Sequence, residues 1–148
     1  DSSNAALTAG LKASPWLVKP NHRELEAWIG HPLNSLDEII AAAKKLKAEG
    51  IANVIISMGE NGSLWLNDQA VIQAQPPKCE NVVSTVGAGD SMVAGLIFGI
   101  EKGLSQAETL AFASAVSAFA VSQSNVGVSD IALLEPILAN VKISVIEG

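Results

Sequence analysis

The sequence predicts an α/β protein with a layered, partly parallel sheet. Short apolar runs rich in β-branched residues, such as residues 53–58, alternate with longer segments that have the three-to-four-residue spacing of helices. Several of the helical segments begin at a capping residue and end at a glycine, which marks them as separate elements. Strands that alternate with helices are typical of folds in which helices cover a sheet.

In the first part of the chain, three helices and two strands are expected. Asn21 and Ser35 are suitable N-caps, because their side-chain oxygens can accept hydrogen bonds from amides of the first helical turn. Glu38, three residues after Ser35, completes a capping-box pattern. The predicted elements are a helix over 4–13, a strand over 16–18, a helix over 22–28, a helix over 36–49 and a strand over 53–58.

The second part predicts a hairpin, three helices and a final strand. Asn67 and Asp68 form a turn signal between two short apolar runs, and Ser105 with Glu108 forms a second capping box. The predicted elements are strands over 63–66 and 71–72, helices from the glycine-rich turn to 102, from 105 to 122 and over 130–138, and a strand over 141–146. Residues 1–148 are expected to form a single domain.

Composition narrows the classes of function. Nine basic against fifteen acidic residues give a net charge of −6, and basic residues do not cluster, which argues against nucleic acid or an anionic membrane as the main partner. The most apolar helical run falls short of the roughly 20 residues that a membrane span requires. Cys79 is the one cysteine, so an internal disulfide is excluded and a reducing compartment, the cytoplasm, is expected.

A glycine-rich turn with one carboxylate, Gly87-Ala88-Gly89-Asp90, carries the main chemical signal. Its glycines let the backbone approach a ligand closely, and a helix that begins there directs unpaired N–H groups at the space ahead of it. That arrangement binds anions, most often phosphate. A carboxylate beside such a site suits a base that activates a hydroxyl next to a phosphoryl group. The competing interpretation is a plain helix start in which Asp90 complements the helix dipole.

Known phosphate loops and nucleophile elbows do not fit this turn. No Gly-Lys-Ser/Thr follows at P-loop spacing, and Met92 stands where a dinucleotide fingerprint would have its third glycine. The final glycine of a hydrolase nucleophile elbow is also missing. Three other motifs have plain structural explanations: Asn21 with Glu24 can cap a helix, residues 57–62 can form a turn, and residues 123–127 can end a helix.

The run Thr85-Val86-Gly87-Ala88-Gly89-Asp90 resembles the C-terminal signature of the PfkB, or ribokinase-like, carbohydrate kinases. The resemblance implies a ribokinase-like layered α/β/α fold of which this chain is the C-terminal half. It implies that Gly87, Ala88 and Gly89 form an anion hole and that Asp90 takes the proton from the sugar hydroxyl. It also implies ATP and Mg²⁺ as cofactors.

The other motifs occur in the order of the same family and extend the resemblance over essentially the whole chain. Glu24 is expected to reach Mg²⁺ through water, and in some relatives the turn after the long helix helps to hold a monovalent cation, K⁺. The residues that the resemblance implies for the nucleotide are Lys19, Asn21, Glu24, Ser57, Met58, Gly59, Glu60, Asn61, Gly62 and Asn125. Those that it implies for the cation are Ser84, Val86, Asn125 and Gly127.

The motifs resemble most the 1-phosphofructokinase branch, which implies ATP-dependent phosphorylation of fructose 1-phosphate to fructose 1,6-bisphosphate. Tagatose-6-phosphate kinase, 6-phosphofructokinase, a kinase of the ribokinase branch and a non-catalytic nucleotide-binding module remain alternatives. Kinases of the family are about twice this long, and the chain has no initiator methionine. We therefore expect a part that lacks the sugar-binding half and the lid through which relatives dimerise, and that is inactive alone.

Overall fold

The computed structural model describes residues 4–124 and 127–148. Helices and strands alternate along the first half of the chain, and two long helices follow one another in the second half, as the sequence predicts. The helices are α1 (Asn4–Leu11), α2 (His22–Ile29), α3 (Leu36–Ala48), α4 (Ala88–Glu101), α5 (Gln106–Val121) and α6 (Glu135–Leu138). The strands are β1 (Leu17–Val18), β2 (Asn53–Ser57), β3 (Ser63–Leu66), β4 (Val71–Gln75) and β5 (Lys142–Glu147).

The strands form a five-stranded sheet in the order β1-β2-β3-β4-β5. β1 and β2 are parallel, with Leu17 opposite Asn53 and Val18 opposite Val54. The prediction of an α/β fold with a partly parallel sheet is therefore confirmed. The turn between β3 and β4 is closed by Asn67, whose N–H donates to the carbonyl of Ala70 at 3.2 Å.

Two predicted elements differ most from the structure. β4 continues three residues beyond the predicted end at 72, because buried Ile72 and Ala74 alternate with the more exposed Gln73 and Gln75. The helix predicted over 130–138 consists of a 3₁₀ turn, Ile131–Leu134, followed by the short α6, which has a proline in its first turn. Proline tolerates that position because its missing N–H would have no helical partner there.

The capping box predicted for α3 is wrong in one of its two bonds. The Ser35 hydroxyl oxygen accepts from the N–H of Glu38 at 3.2 Å, as expected for an N-cap. The Glu38 carboxylate, however, accepts from the N–H of Asn34 at 2.6 Å instead of returning to Ser35. The acidic side chain therefore ties down the residue before the cap.

The chain divides into two compact units. Unit 1 comprises Asp1–Met58, Leu64–Val71 and Val145–Gly148. Its hydrophobic core includes Leu25 and Leu46, both fully buried. Two ion pairs join lysines of α3 to other parts of unit 1, Lys44 to Glu147 at 2.7 Å and Lys47 to Asp68.

Unit 2 comprises Gly59–Ser63 and Ile72–Ser144. Its centre is the pair α4 and α5, which pack with little space between their backbones. A Cβ placed on Gly95 of α4 would lie 2.7 Å from the Cα of Ala113 on α5. On α5, Leu110 is fully buried, and the Ser114 hydroxyl lies 3.1 Å from the hydroxyl of Ser63, the first residue of β3. Within residues 4–124 and 127–148, no helix has both the length and the apolar character needed to cross a membrane.

Candidate active site

The first turn of α2 holds two of the residues predicted to contact a nucleotide. Asn21 is the N-cap: its Oδ1 accepts from the N–H of Glu24 at 2.9 Å, and Glu24 Oε2 accepts from the N–H of Asn21 at 2.8 Å. The capping explanation of this motif is therefore confirmed. Glu24 Oε1 has no hydrogen-bond partner among the described residues, so one carboxylate oxygen stays available to a ligand.

The carboxyl ends of β1 and β2 bring a second predicted motif beside the first. The N–H of Ser57 donates to the carbonyl of Pro20 at 3.2 Å, and Asn21 forms a parallel bridge with Ser57. Lys19, 8% exposed, lies between these residues and β1. In open α/β sheets, ligands bind just outside the carboxyl ends of parallel strands. Within unit 1, Lys19, Asn21 and Ser57 thus lie together at such an edge.

Met58 directly follows β2, and its side chain is not accessible to a ligand. The side chain is 8% exposed and belongs to the hydrophobic core of unit 1. Only the backbone of Met58 is therefore left to meet a ligand.

The loop that follows belongs to unit 2 and is shaped by its glycines. Gly59–Asn61 form one 3₁₀ turn, which the N–H of Gly62 closes on the carbonyl of Gly59 at 3.0 Å. Gly62 has φ 84°, and a Cβ there would lie 2.0 Å from the carbonyl oxygen of Ala74. Backbone packing thus requires this glycine, whatever the loop binds. Glu60 and Asn61 are exposed.

The glycine-rich turn is a tight turn that runs directly into α4. The N–H of Ala88 reaches the carbonyl of Thr85 at 3.4 Å, and Gly87 has φ 81° and ψ −1°. These angles are those of the third residue of a type II turn, a position that favours glycine. The Ser84 hydroxyl oxygen accepts from the N–H of Val86 at 3.1 Å and holds the residues that lead into the turn.

Donors at the start of α4 are left open. No described side chain caps this helix, and its first bond runs from the N–H of Ser91 to the carbonyl of Gly87 at 2.9 Å. In the described part of the chain, the N–H groups of Gly89 and Asp90 have no hydrogen-bond partner. Two aligned, unpaired donors at the positive end of a 14-residue helix are suited to an anion.

Asp90 differs from the other acidic residues at the same helical position. Glu24, Glu38 and Glu108 each stand three residues after an N-cap, and each carboxylate folds back onto a backbone N–H at the start of its own helix. Asp90 stands in the same place, yet its exposed carboxylate makes no hydrogen bond with any described residue. Its side chain is therefore not used as a cap and remains available for chemistry.

Sequence reasoning missed the groups of α5 that hold this turn. The Ser117 hydroxyl donates to the carbonyl of Ala88 at 3.1 Å, and the carbonyl of Val121 accepts from the N–H groups of Val83 and Ser84 at 2.8 and 3.3 Å. The signal available beforehand was the spacing of four residues between Ser117 and Val121, which puts both on one helix face.

The structure describes three of the four residues predicted to hold a monovalent cation. Ser84 and Val86 lie in the turn, Val86 is 82% exposed, and Gly127 has φ 105°. Asn125, predicted for both nucleotide and cation, lies outside the described residues. Among residues 4–124 and 127–148, no group of three or more His, Cys, Asp or Glu side chains could hold a metal ion.

Comparison with known proteins finds relatives that share one name. The chain is 80% identical over 148 residues to a 1-phosphofructokinase of Haemophilus influenzae, covering 100% of this chain and 47% of that protein. It is 55% identical over 141 residues to the 1-phosphofructokinase of Escherichia coli strain K12, covering 95% of this chain and 45% of that protein. The chain thus spans about half the length of the curated relatives that it matches.

A solved structure supports the same fold. Phosphofructokinase-2 from Escherichia coli in complex with potassium superposes with a TM-score of 0.83 and 32% identity, over 94% of this chain and 45% of that one. The family model described as pfkB family carbohydrate kinase matches residues 1–132. The ribokinase-like α/β fold expected from the motifs is therefore confirmed. The chain belongs to the pfkB family of carbohydrate kinases.

Proposed function

We propose that this chain is the nucleotide-binding and catalytic part of a kinase that uses ATP to phosphorylate the free primary hydroxyl of fructose 1-phosphate, giving fructose 1,6-bisphosphate. The names of the relatives at 80% and 55% identity support this substrate. The observation that carries the proposal is the Asp90 carboxylate, which is exposed and makes no hydrogen bond with a described residue beside two unpaired helix amides.

In this proposal Asp90 is the general base. A carboxylate that is not engaged as a cap can accept the proton of an approaching sugar hydroxyl and so raise its nucleophilicity. The N–H groups of Gly89 and Asp90 stabilise the negative charge on the phosphoryl group that is being transferred. Gly87 makes the tight turn before these amides possible, because glycine adopts φ 81° without a steric clash of a side chain.

Nucleotide binding is assigned to the edge formed by β1 and β2 and to the loop after it. Lys19 supplies a positive charge for phosphate, and Asn21 and Ser57 supply polar groups beside it. Mg²⁺ usually keeps several of its waters, so Glu24 Oε1 would hold it through water. Bound there, Mg²⁺ would neutralise charge on the ATP phosphates. Gly59, Glu60, Asn61 and Gly62 would contact the nucleotide phosphates.

A monovalent cation is a further part of the proposal. The potassium complex of the related phosphofructokinase-2 supports it. In this chain, oxygens of Ser84, Val86, Asn125 and Gly127 would hold K⁺. Replacing K⁺ by a bulky organic cation at constant ionic strength should lower turnover, and equal turnover in both salts would remove the cation from the proposal.

The substrate is tested on the full-length kinase that contains this chain. Fructose 1-phosphate, fructose 6-phosphate, tagatose 6-phosphate and ribose are compared at equal concentration, with ADP release as the readout. We expect the highest kcat/KM with fructose 1-phosphate. A higher kcat/KM with another of these sugars would assign the protein to the branch of the family that phosphorylates that sugar. No ADP release with any of the sugars would support a non-catalytic nucleotide module.

By itself, the 148-residue chain is proposed to bind Mg-ATP weakly and not to turn over, since the relatives are about twice its length. Calorimetry with Mg-ATP and a coupled ADP-release assay measure both properties. Turnover of fructose 1-phosphate by this chain alone would contradict the assignment of the sugar contacts to the other half.

We also propose that the full-length enzyme is a homodimer. We propose a cytoplasmic location as well, and the single thiol of Cys79 supports it, because unpaired cysteines are typical of reducing compartments.

A further inference from the structure

One face of α5 contacts α4 and the residues before it along its whole length. Thr109, Ala113, Ser117 and Val121 are spaced by four residues and so lie on that face. At the first two, the partner on α4 is a glycine: a Cβ on Gly99 would lie 2.7 Å from Cγ2 of Thr109, and one on Gly95 would lie 2.7 Å from Cα of Ala113. The two helices therefore have almost no freedom to shift against each other.

Hydrogen bonds replace packing at the other end of the same face. The Ser117 hydroxyl donates to the carbonyl of Ala88, the first residue of α4, at 3.1 Å. One turn further, the carbonyl of Val121 accepts from the N–H groups of Val83 and Ser84 at 2.8 and 3.3 Å. Both sides of the tight turn at Gly87 are thus attached to one rigid helix.

The Ser117 bond is unusual for a helical serine. Serine hydroxyls inside helices commonly bond to a carbonyl of the preceding turn of the same helix. Ser122, at the end of α5, does this, donating to the carbonyl of Phe119 at 2.7 Å. Ser117 instead reaches across to α4.

We propose that Ser117 is a positioning residue for phosphoryl transfer. By fixing the carbonyl of Ala88, its hydroxyl sets the direction in which the unpaired N–H groups of Gly89 and Asp90 point. The proposal rests on the function proposed above. It assigns to α5 the orientation of the anion hole, and it predicts that loss of one half-buried hydroxyl changes catalysis while the fold is kept.

Kinetics of the full-length kinase provide the first test, with three variants. Ser117→Ala removes the hydroxyl, Ser117→Thr keeps it, and Ser122→Ala removes a hydroxyl that bonds to Phe119 and Gln123 and makes no described bond to α4. We expect kcat to fall about tenfold in Ser117→Ala with both KM values within about twofold, since misdirected donors weaken transition-state stabilisation more than binding. Ser117→Thr should recover most of the loss, and Ser122→Ala should match the wild type. An unchanged kcat in a folded Ser117→Ala protein would overturn the proposal.

A second test does not depend on turnover. Inorganic phosphate is titrated into the ¹⁵N-labelled full-length kinase while the amide resonances of Gly89 and Asp90 are followed. We expect saturable shifts whose apparent Kd rises severalfold in Ser117→Ala and returns towards the wild-type value in Ser117→Thr. Equal Kd values in wild type and Ser117→Ala, or no response at these two amides, would overturn the positioning role. If the amides respond as expected but the full-length protein has no kinase activity, the proposed function fails, and what stands is that Ser117 orients the anion-binding amides of Gly89 and Asp90.

Discussion

Gly95 and Ala113 are in backbone-to-backbone contact: a Cβ on Gly95 would lie 2.7 Å from the Cα of Ala113. Gly95→Ala should therefore force α4 and α5 apart and lower the free energy of unfolding by about 1–3 kcal/mol, the usual cost of overpacking. Urea unfolding of the variant and the wild type measures the difference.

Gly10→Ala is the matched control for this change. Gly10 lies within α1, and a Cβ there would have no atom within 4 Å. The same substitution should therefore raise the free energy of unfolding by about 0.5–1 kcal/mol, because alanine loses less backbone entropy in a helix. If the Gly95→Ala protein were as stable as the Gly10→Ala protein, the close contact described between α4 and α5 would be contradicted.

Asn21 combines a cap with a proposed nucleotide contact, and two variants separate the roles. Asn21→Ala removes the oxygen that accepts from the N–H of Glu24, so it should lower the free energy of unfolding by about 1 kcal/mol. It should also raise the KM for ATP in the full-length kinase about tenfold, the effect of losing one hydrogen bond to a charged group.

Asn21→Ser restores a good N-cap without the amide. We expect its stability to return to the wild-type value while the KM for ATP stays high. Recovery of both quantities in Asn21→Ser would show that Asn21 serves α2 alone.

Glu108 gives a prediction about pH. The hydrogen bond from the Ser105 hydroxyl, followed by that from the Ser105 N–H, lowers the pKa of the Glu108 carboxyl from its ordinary value of 4.5. Because the folded pKa is the lower one, the ionised group stabilises the fold above pH 4.5, and this contribution is lost as the pH falls through the folded pKa.

Glu108→Gln should therefore be less stable than the wild type at pH 7, with a difference that shrinks as the pH is lowered below 4.5. Urea unfolding at a series of pH values measures it. A difference that does not change with pH would assign the effect of this residue to packing instead of charge.

Local signals predicted most of the fold. Asn21 and Ser105 cap their helices with complete capping boxes, and Gly30 ends α2 in the left-handed conformation, as short-range rules require. The glycine-rich turn also begins a helix at the expected place. These features depend on neighbours within four residues, so they are visible in the sequence.

Contacts between distant segments could not be predicted in the same way. The bond from Ser117 to Ala88 joins residues 29 positions apart, and nothing in the pattern of small residues along α5 distinguishes Ser117 from Ser114, which pairs with Ser63 instead. Likewise, the free carboxylate of Asp90 is known only once the bonds of α4 are seen, because its position is the one where Glu24 and Glu108 form caps.

Asp90→Asn in the full-length kinase tests the central claim most directly. The substitution keeps the size of the side chain but removes its ability to take a proton. Because the Asp90 carboxylate is exposed and makes no hydrogen bond with a described residue, the free energy of unfolding should stay within about 0.5 kcal/mol of the wild type. Steady-state kinetics should give a kcat lower by roughly 10²–10⁴-fold, the usual contribution of a general base. A folded Asp90→Asn enzyme with near-normal turnover would contradict the account.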